Sequence, residues 1–166
     1  MMTRLLILSE DSYGKSFFSD LIKRLKDEGL ISNFRLYVDR FYGPCNAKLE
    51  RQLVTYREFK ECDYFLIFQD SDGKPTTPIR ERIEFHIDSS FSTSVKIIVL
   101  KCEIEDWLCL NEDIPIRNNK PSAILHQKQG YEKYRLKNYV PKLDIEKLRH
   151  ICDTFAKFIS FLENLS

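Results

Sequence analysis

This chain of 166 residues has no CxxC pair, no glycine- or proline-rich stretch, no long hydrophobic run and no excess of either charge. Each absence excludes something. Cys45, Cys62, Cys102, Cys109 and Cys152 are scattered and odd in number, which fits neither a disulfide framework nor a zinc site. Reduced thiols in a cytoplasmic protein are expected, most of them buried as small apolar side chains. His86, His126 and His150 stand apart, and no two have metal-ligand spacing. With 26 Lys and Arg against 25 Asp and Glu, the net charge of +1 is far from that of a histone-like polyanion binder. Any nucleic-acid contact is therefore expected to be local and metal-assisted. The apolar start, Leu5 to Leu8, runs into acids after four residues, too short for a signal peptide or a membrane span. Nothing divides the chain, so one domain over 1–166 is expected, with a core over 1–110 and a C-terminal helical extension over 111–166.

What is present is apolar and aromatic. Hydrophobic residues make up 43%, with 12 Phe and 8 Tyr, enough for a sizeable core. Leu5 to Leu8, Tyr64 to Phe68 and Val95 to Leu100 are continuous apolar runs of strand length, and Phe34, Leu36 and Val38 alternate as a further strand. Between them, Phe17, Leu21 and Leu25 recur at helical spacing, with Ser12 as a candidate cap and Gly29 as a stop. A turn is expected at Gly43-Pro44, and Leu49, Leu53 and Tyr56 then mark a second helix. Pro75 and Pro78 open a third through Ile79, Ile83 and Ile87. Strand–helix alternation of this kind predicts an α/β fold: a central, mostly parallel four-stranded sheet, Rossmann-like, with helices on both faces. Near the end, Leu148, Ile151, Phe155, Phe158, Ile159 and Leu162 describe one amphipathic helix, capped by Asp144.

Acids stand at the strand ends. Glu10-Asp11 follows the first strand and Asp70-Ser71-Asp72 ends the third. In open parallel sheets, ligand sites lie outside the carboxyl ends of the strands, where chain order reverses. Carboxylates gathered there repel one another unless a cation sits among them, and oxygen-only ligands suit Mg²⁺ or Mn²⁺. The plainer alternative is that such acids favour the start of the next helix through its dipole. For Glu10 alone that explanation is the better one; for Glu10 with the Asp-x-Asp, the metal site is. Glu103 and Glu105 follow the fourth strand at i,i+2 and share a face if the backbone is extended there. In a helix they would diverge. Trp107 is expected in the core.

A strand ending in Glu, followed two strand–helix units later by a strand ending in Asp-x-Asp, resembles the Toprim domain of topoisomerases, primases and related nucleases. Glu103-x-Glu105-x-Trp107-Leu108, Gly130-Tyr131-x-Lys133 and Leu148-Arg149-x-x-Cys152-x-x-Phe155 resemble a family of uncharacterised Toprim-like proteins. The resemblance spans nearly the whole chain. One position departs from it, because Asp11 stands where the Toprim glutamate is usually followed by glycine. The resemblance implies metal-dependent phosphodiester hydrolysis on DNA or RNA, in phage defence or DNA maintenance. Asp70 and Asp72 would be principal ligands, Glu10 a ligand through water or a general base, and Glu103 and Glu105 ligands of a second ion.

Other readings compete. Ser9 to Ser16 contains Gly14-Lys15-Ser16 at P-loop offset, but Ser9 replaces the first glycine and two acids would face a triphosphate. Lys15 is instead a candidate to steer a phosphate toward the metal. A receiver domain with Asp70 as phosphate acceptor would need a hydroxyl at the end of the fourth strand and a lysine after a fifth, and neither is evident. Lys133, Arg135 and Lys137 lie among tyrosines in a segment suited to single-stranded nucleic acid, although a solvated loop and helix face is the better explanation of that composition. A non-catalytic module that binds nucleic acid or a protein partner is the alternative to an enzyme.

Overall fold

Why each apolar run is uninterrupted is visible in the sheet it builds. The computed structural model describes residues 1–43 and 47–165, so Pro44 of the expected turn, and Cys45 beside it, lie outside the described residues. Four strands, β1 (Arg4–Ser9), β2 (Arg35–Arg40), β3 (Tyr64–Asp70) and β4 (Val95–Leu100), form an all-parallel sheet in the order β2-β1-β3-β4. Leu5, Ile7, Leu66, Phe68, Ile98 and Leu100 face one helical layer. Leu6, Leu8, Phe65, Ile67, Ile97 and Val99 face the other. Covered on both faces, the inner strands have no polar side to alternate with. β2 is an edge strand and only partly buried, with Leu36 and Val38 packed against one layer and Tyr37 against the other.

The layers are unequal. α2 (Lys48–Phe59) and α3 (Thr76–Phe85) form the thinner one through Leu49, Leu53 and Ile83. The thicker holds α1 (Gly14–Asp27), α4 (Glu105–Asn111), α5 (Pro121–Gln129), a 3₁₀ segment (Lys133–Lys142), α6 (Ile145–Ile151) and α7 (Asp153–Glu163). The C-terminal third thus supplies nearly half of the buried residues of this layer: Phe155 and Phe158 pack with Phe18, Phe68 and Trp107. None of the helices is long and apolar enough to cross a membrane, among the described residues.

Three local expectations change. α1 has no side-chain cap from Ser12; Asp11 Oδ1 instead accepts the Tyr13 N–H at 2.8 Å. Gly29 does end that helix, at φ +71°, where the Gly29 and Leu30 N–H groups close back onto Lys26 and Leu25. The final amphipathic pattern is two helices, broken at Cys152, whose backbone is extended at φ −121° and ψ 107°. Asp144 caps the first, accepting from the Lys147 N–H. The break sets Thr154 Oγ1 2.9 Å from the indole N–H of fully buried Trp107, which needs an acceptor there.

Candidate functional site at the carboxyl ends of the strands

β1 leads into α1 and β2 on one side, while β3 leads to β4 on the other, so strand order reverses between β1 and β3. Glu10 leaves β1 and Asp70 ends β3 at that crevice. The two are joined: Glu10 Oε2 accepts the Asp70 backbone N–H at 2.9 Å. Burial, with Glu10 beside it, pushes the Asp70 carboxyl up to about 8, against the pull of Lys133.

Beyond β4, Glu103 and Glu105 are buried at 3% and 0% exposure. Glu105 opens α4, where helical geometry would turn it from Glu103, yet both carboxyls meet the same cation. Lys133 Nζ lies 3.8 Å from Glu103 Oε2, 3.6 Å from Glu105 Oε1 and 3.2 Å from Asp11 Oδ2. A hub from the C-terminal segment therefore gathers what the local backbone would separate. Burial and then Glu103 push Glu105 up to about 7, opposed by Lys133 and by the Tyr131 hydroxyl that donates to Oε1 at 2.8 Å. Burial counts against the charged form of Lys133, but Glu105, Asp11 and Glu103 outweigh it and hold the ammonium above its usual range. Glu103 Oε1 takes the Ser122 N–H at the start of α5, 2.7 Å away. Next to it, burial raises Asp106 to about 6, although its Oδ2 accepts the Cys102 N–H at 2.7 Å.

Not every expected residue joins. Asp72 sits at φ +51°, so the period that would align it with Asp70 in a strand is broken. Its carboxylate is half exposed and pairs with Lys120 at 2.8 Å. Of the four basic candidates, only Lys133 reaches the carboxylates: Lys15 and Lys137 are exposed, and Arg135 lies over the Tyr134 ring. Gly14 of the Gly-Lys-Ser run has a packing role, since a Cβ there would stand 2.5 Å from Ser9 Oγ.

No family model, curated protein or solved structure matches this chain. Two members were missed by motif reasoning: Asp11, which had looked like a departure from glycine, and Tyr131, which holds Glu105. Their signal was present as an acid beside Glu10 and an aromatic two residues before Lys133.

The donor chemistry fits a hard divalent ion. Asp11, Glu103 and Glu105 surround one ammonium, whose charge also reaches Asp70, and Glu10 is bonded to the Asp70 backbone; all offer oxygen. Glu105 Oε2 is buried with no hydrogen-bond partner, an acceptor left free. As the side chains stand, no three or more His, Cys, Asp or Glu among the described residues make a metal-holding group, so binding requires them to close together.

Proposed function

We propose that this end of the sheet is a Toprim-like centre for Mg²⁺- or Mn²⁺-dependent hydrolysis of phosphodiesters in DNA or RNA. One observation carries the reading: carboxyls from three separate strand ends meet in a partly buried crevice with a surplus of negative charge. Burial first, and then that surplus, raises Asp70 and Glu105, and a divalent cation would relieve the repulsion.

Asp70, Glu103 and Glu105 would hold the ion, with Asp11 at its edge. Bound there, it would neutralise charge on the pentavalent phosphorus and activate the attacking oxygen. Glu10 is fixed by the Asp70 N–H through one oxygen, which leaves Oε1 to take a proton from the attacking water. Lys133 is about half exposed, so its ammonium can pair with a phosphate oxygen without leaving the carboxylates. Tyr131 positions Glu105. Asp72 stands at the rim with Lys120.

A second reading has its own support. Lys133 already stands among the acids, and this intrinsic cation favours a non-catalytic module that binds nucleic acid or a partner at the same end of the sheet. Incubation with single- and double-stranded DNA and RNA, in Mg²⁺ or Mn²⁺, separates the two. Hydrolysis is expected in the wild type, lost in Asp70→Asn and Glu103→Gln, and weakened in Asp72→Ala. Binding without cutting in either metal would overturn the enzymatic reading in favour of the module.

A further inference from the structure

Two cavities flank the carboxylates, one of about 530 Å³ beside α5 and one of about 760 Å³ along β4. Lys133 and Ser122, both in contact with Glu103, line the first. Asp72 and Cys102, which neighbour Asp70 and Glu103 in the chain, line the second. Each cavity thus borders the acidic crevice, although none of the crevice's five carboxylates lines either. The irregular strap over 112–120 lies between them, and its Asn119 lines both. A path that enters on one side of the reacting centre and leaves on the other suits a polymer.

The larger cavity carries its own charge signature. Lys120 is paired with Asp72, and Lys157 with Asp153. Arg80, Lys101 and Arg117 also line it and make no ion pair among the described residues. Three unpaired cations face a chamber whose floor is apolar, from Ile98, Leu110 and Ile116. Cations above aliphatic side chains match an anionic backbone bearing flat apolar bases. The smaller cavity instead offers Asn119, His126 and Gln127, donors and acceptors suited to base edges. A volume of 760 Å³ lies in the range of small-ligand sites, room for a short stretch of one strand.

We propose that a single nucleic-acid strand crosses the carboxylates from the α5 cavity into the β4 cavity, where Arg80, Lys101 and Arg117 hold its phosphates. This rests on the phosphodiesterase reading and adds to it the strandedness and path of the substrate.

Binding can be read without hydrolysis. A fluorescein-labelled dodecamer, as single strand and as duplex, is titrated by anisotropy in EDTA across a range of salt. Wild type, the Arg80→Ala/Arg117→Ala double variant and Arg51→Ala, an exposed α2 cation, are compared. Each lost phosphate contact lowers the salt slope for a single strand by about 0.7, roughly 5-fold in affinity near 0.1 M salt. The double variant should thus bind about 25-fold more weakly, with a slope reduced by about 1.4, and Arg51→Ala should match wild type. Should Arg80→Ala impair folding, Lys101→Glu/Arg117→Glu tests the same wall through two exposed positions.

A double variant indistinguishable from Arg51→Ala, or a wild type that prefers duplex, overturns the path. A mononucleotide that competes as well as the dodecamer also overturns it, in favour of a nucleotide pocket. If wild type cuts nucleic acid while the double variant binds normally, the path fails and the centre stands. If the slope falls but nothing is cut, the path stands and the chemistry fails.

Discussion

Replacing Asp70 with Asn tests the electrostatics on which the site rests. The Asp70 carboxyl is raised from 3.8 to about 8 by burial and then by Glu10, with Glu105 and Glu103 adding to it. Between those values the unfolded chain is ionised at this position while the folded protein keeps its proton. The folded state then binds more protons, so stability falls as pH rises through this window, and the loss levels off above about 8. At roughly 1.4 kcal/mol per pH unit, Asp70 removes about 3 kcal/mol between pH of about 5 and about 8. Asn keeps the shape and does not titrate. Asp70→Asn should therefore be inactive yet gain about 3 kcal/mol on wild type across that interval. Urea denaturation in EDTA at both ends of the window measures it. Added Mg²⁺ should recover most of the loss in wild type at the higher pH and do little for the variant. A stability difference between the two proteins that is the same at both pH values would refute the reasoning, because the carboxyl would then be ionised throughout.

Two further substitutions probe the scaffold. Gly14→Ala would place a Cβ 2.5 Å from Ser9 Oγ and 2.9 Å from Ser9 Cβ, on a strand paired along both edges, at a cost of about 2 kcal/mol. The companion Ser9→Gly should restore part of it in thermal melts, and no loss in the single variant would show the contact relaxes freely. Thr154→Val leaves the Trp107 indole N–H buried without an acceptor, so about 1–3 kcal/mol should be lost in urea titrations. Trp107 is the sole tryptophan and reports its surroundings by fluorescence, so an emission maximum and a midpoint both unchanged would contradict that role.

Some of this architecture is short-range chemistry and could be read directly. The apolar runs at Leu5 to Leu8 and Tyr64 to Phe68 are strands, because they are uniform where both faces are covered. Gly29 and Asp144 end and begin helices through local backbone bonds. Glu10 and Asp70 could be placed at one crevice from strand order alone, and they are joined there. The break at Cys152 was not legible, because it leaves the apolar spacing intact and answers to Trp107, 47 positions away from its partner Thr154.

The amino-acid order by itself determined the four strands and the first three helices, and which acids stand at strand ends, since those follow from period, propensity and chain direction. Only the packed molecule decided which acids share a site. Asp72 was drawn to Lys120 by a left-handed turn, while Glu103 and Glu105 were drawn together by a lysine nearly thirty residues downstream. Charge acts through space at a few ångströms and burial sets its strength, and neither distance nor burial is encoded at a fixed spacing along the chain.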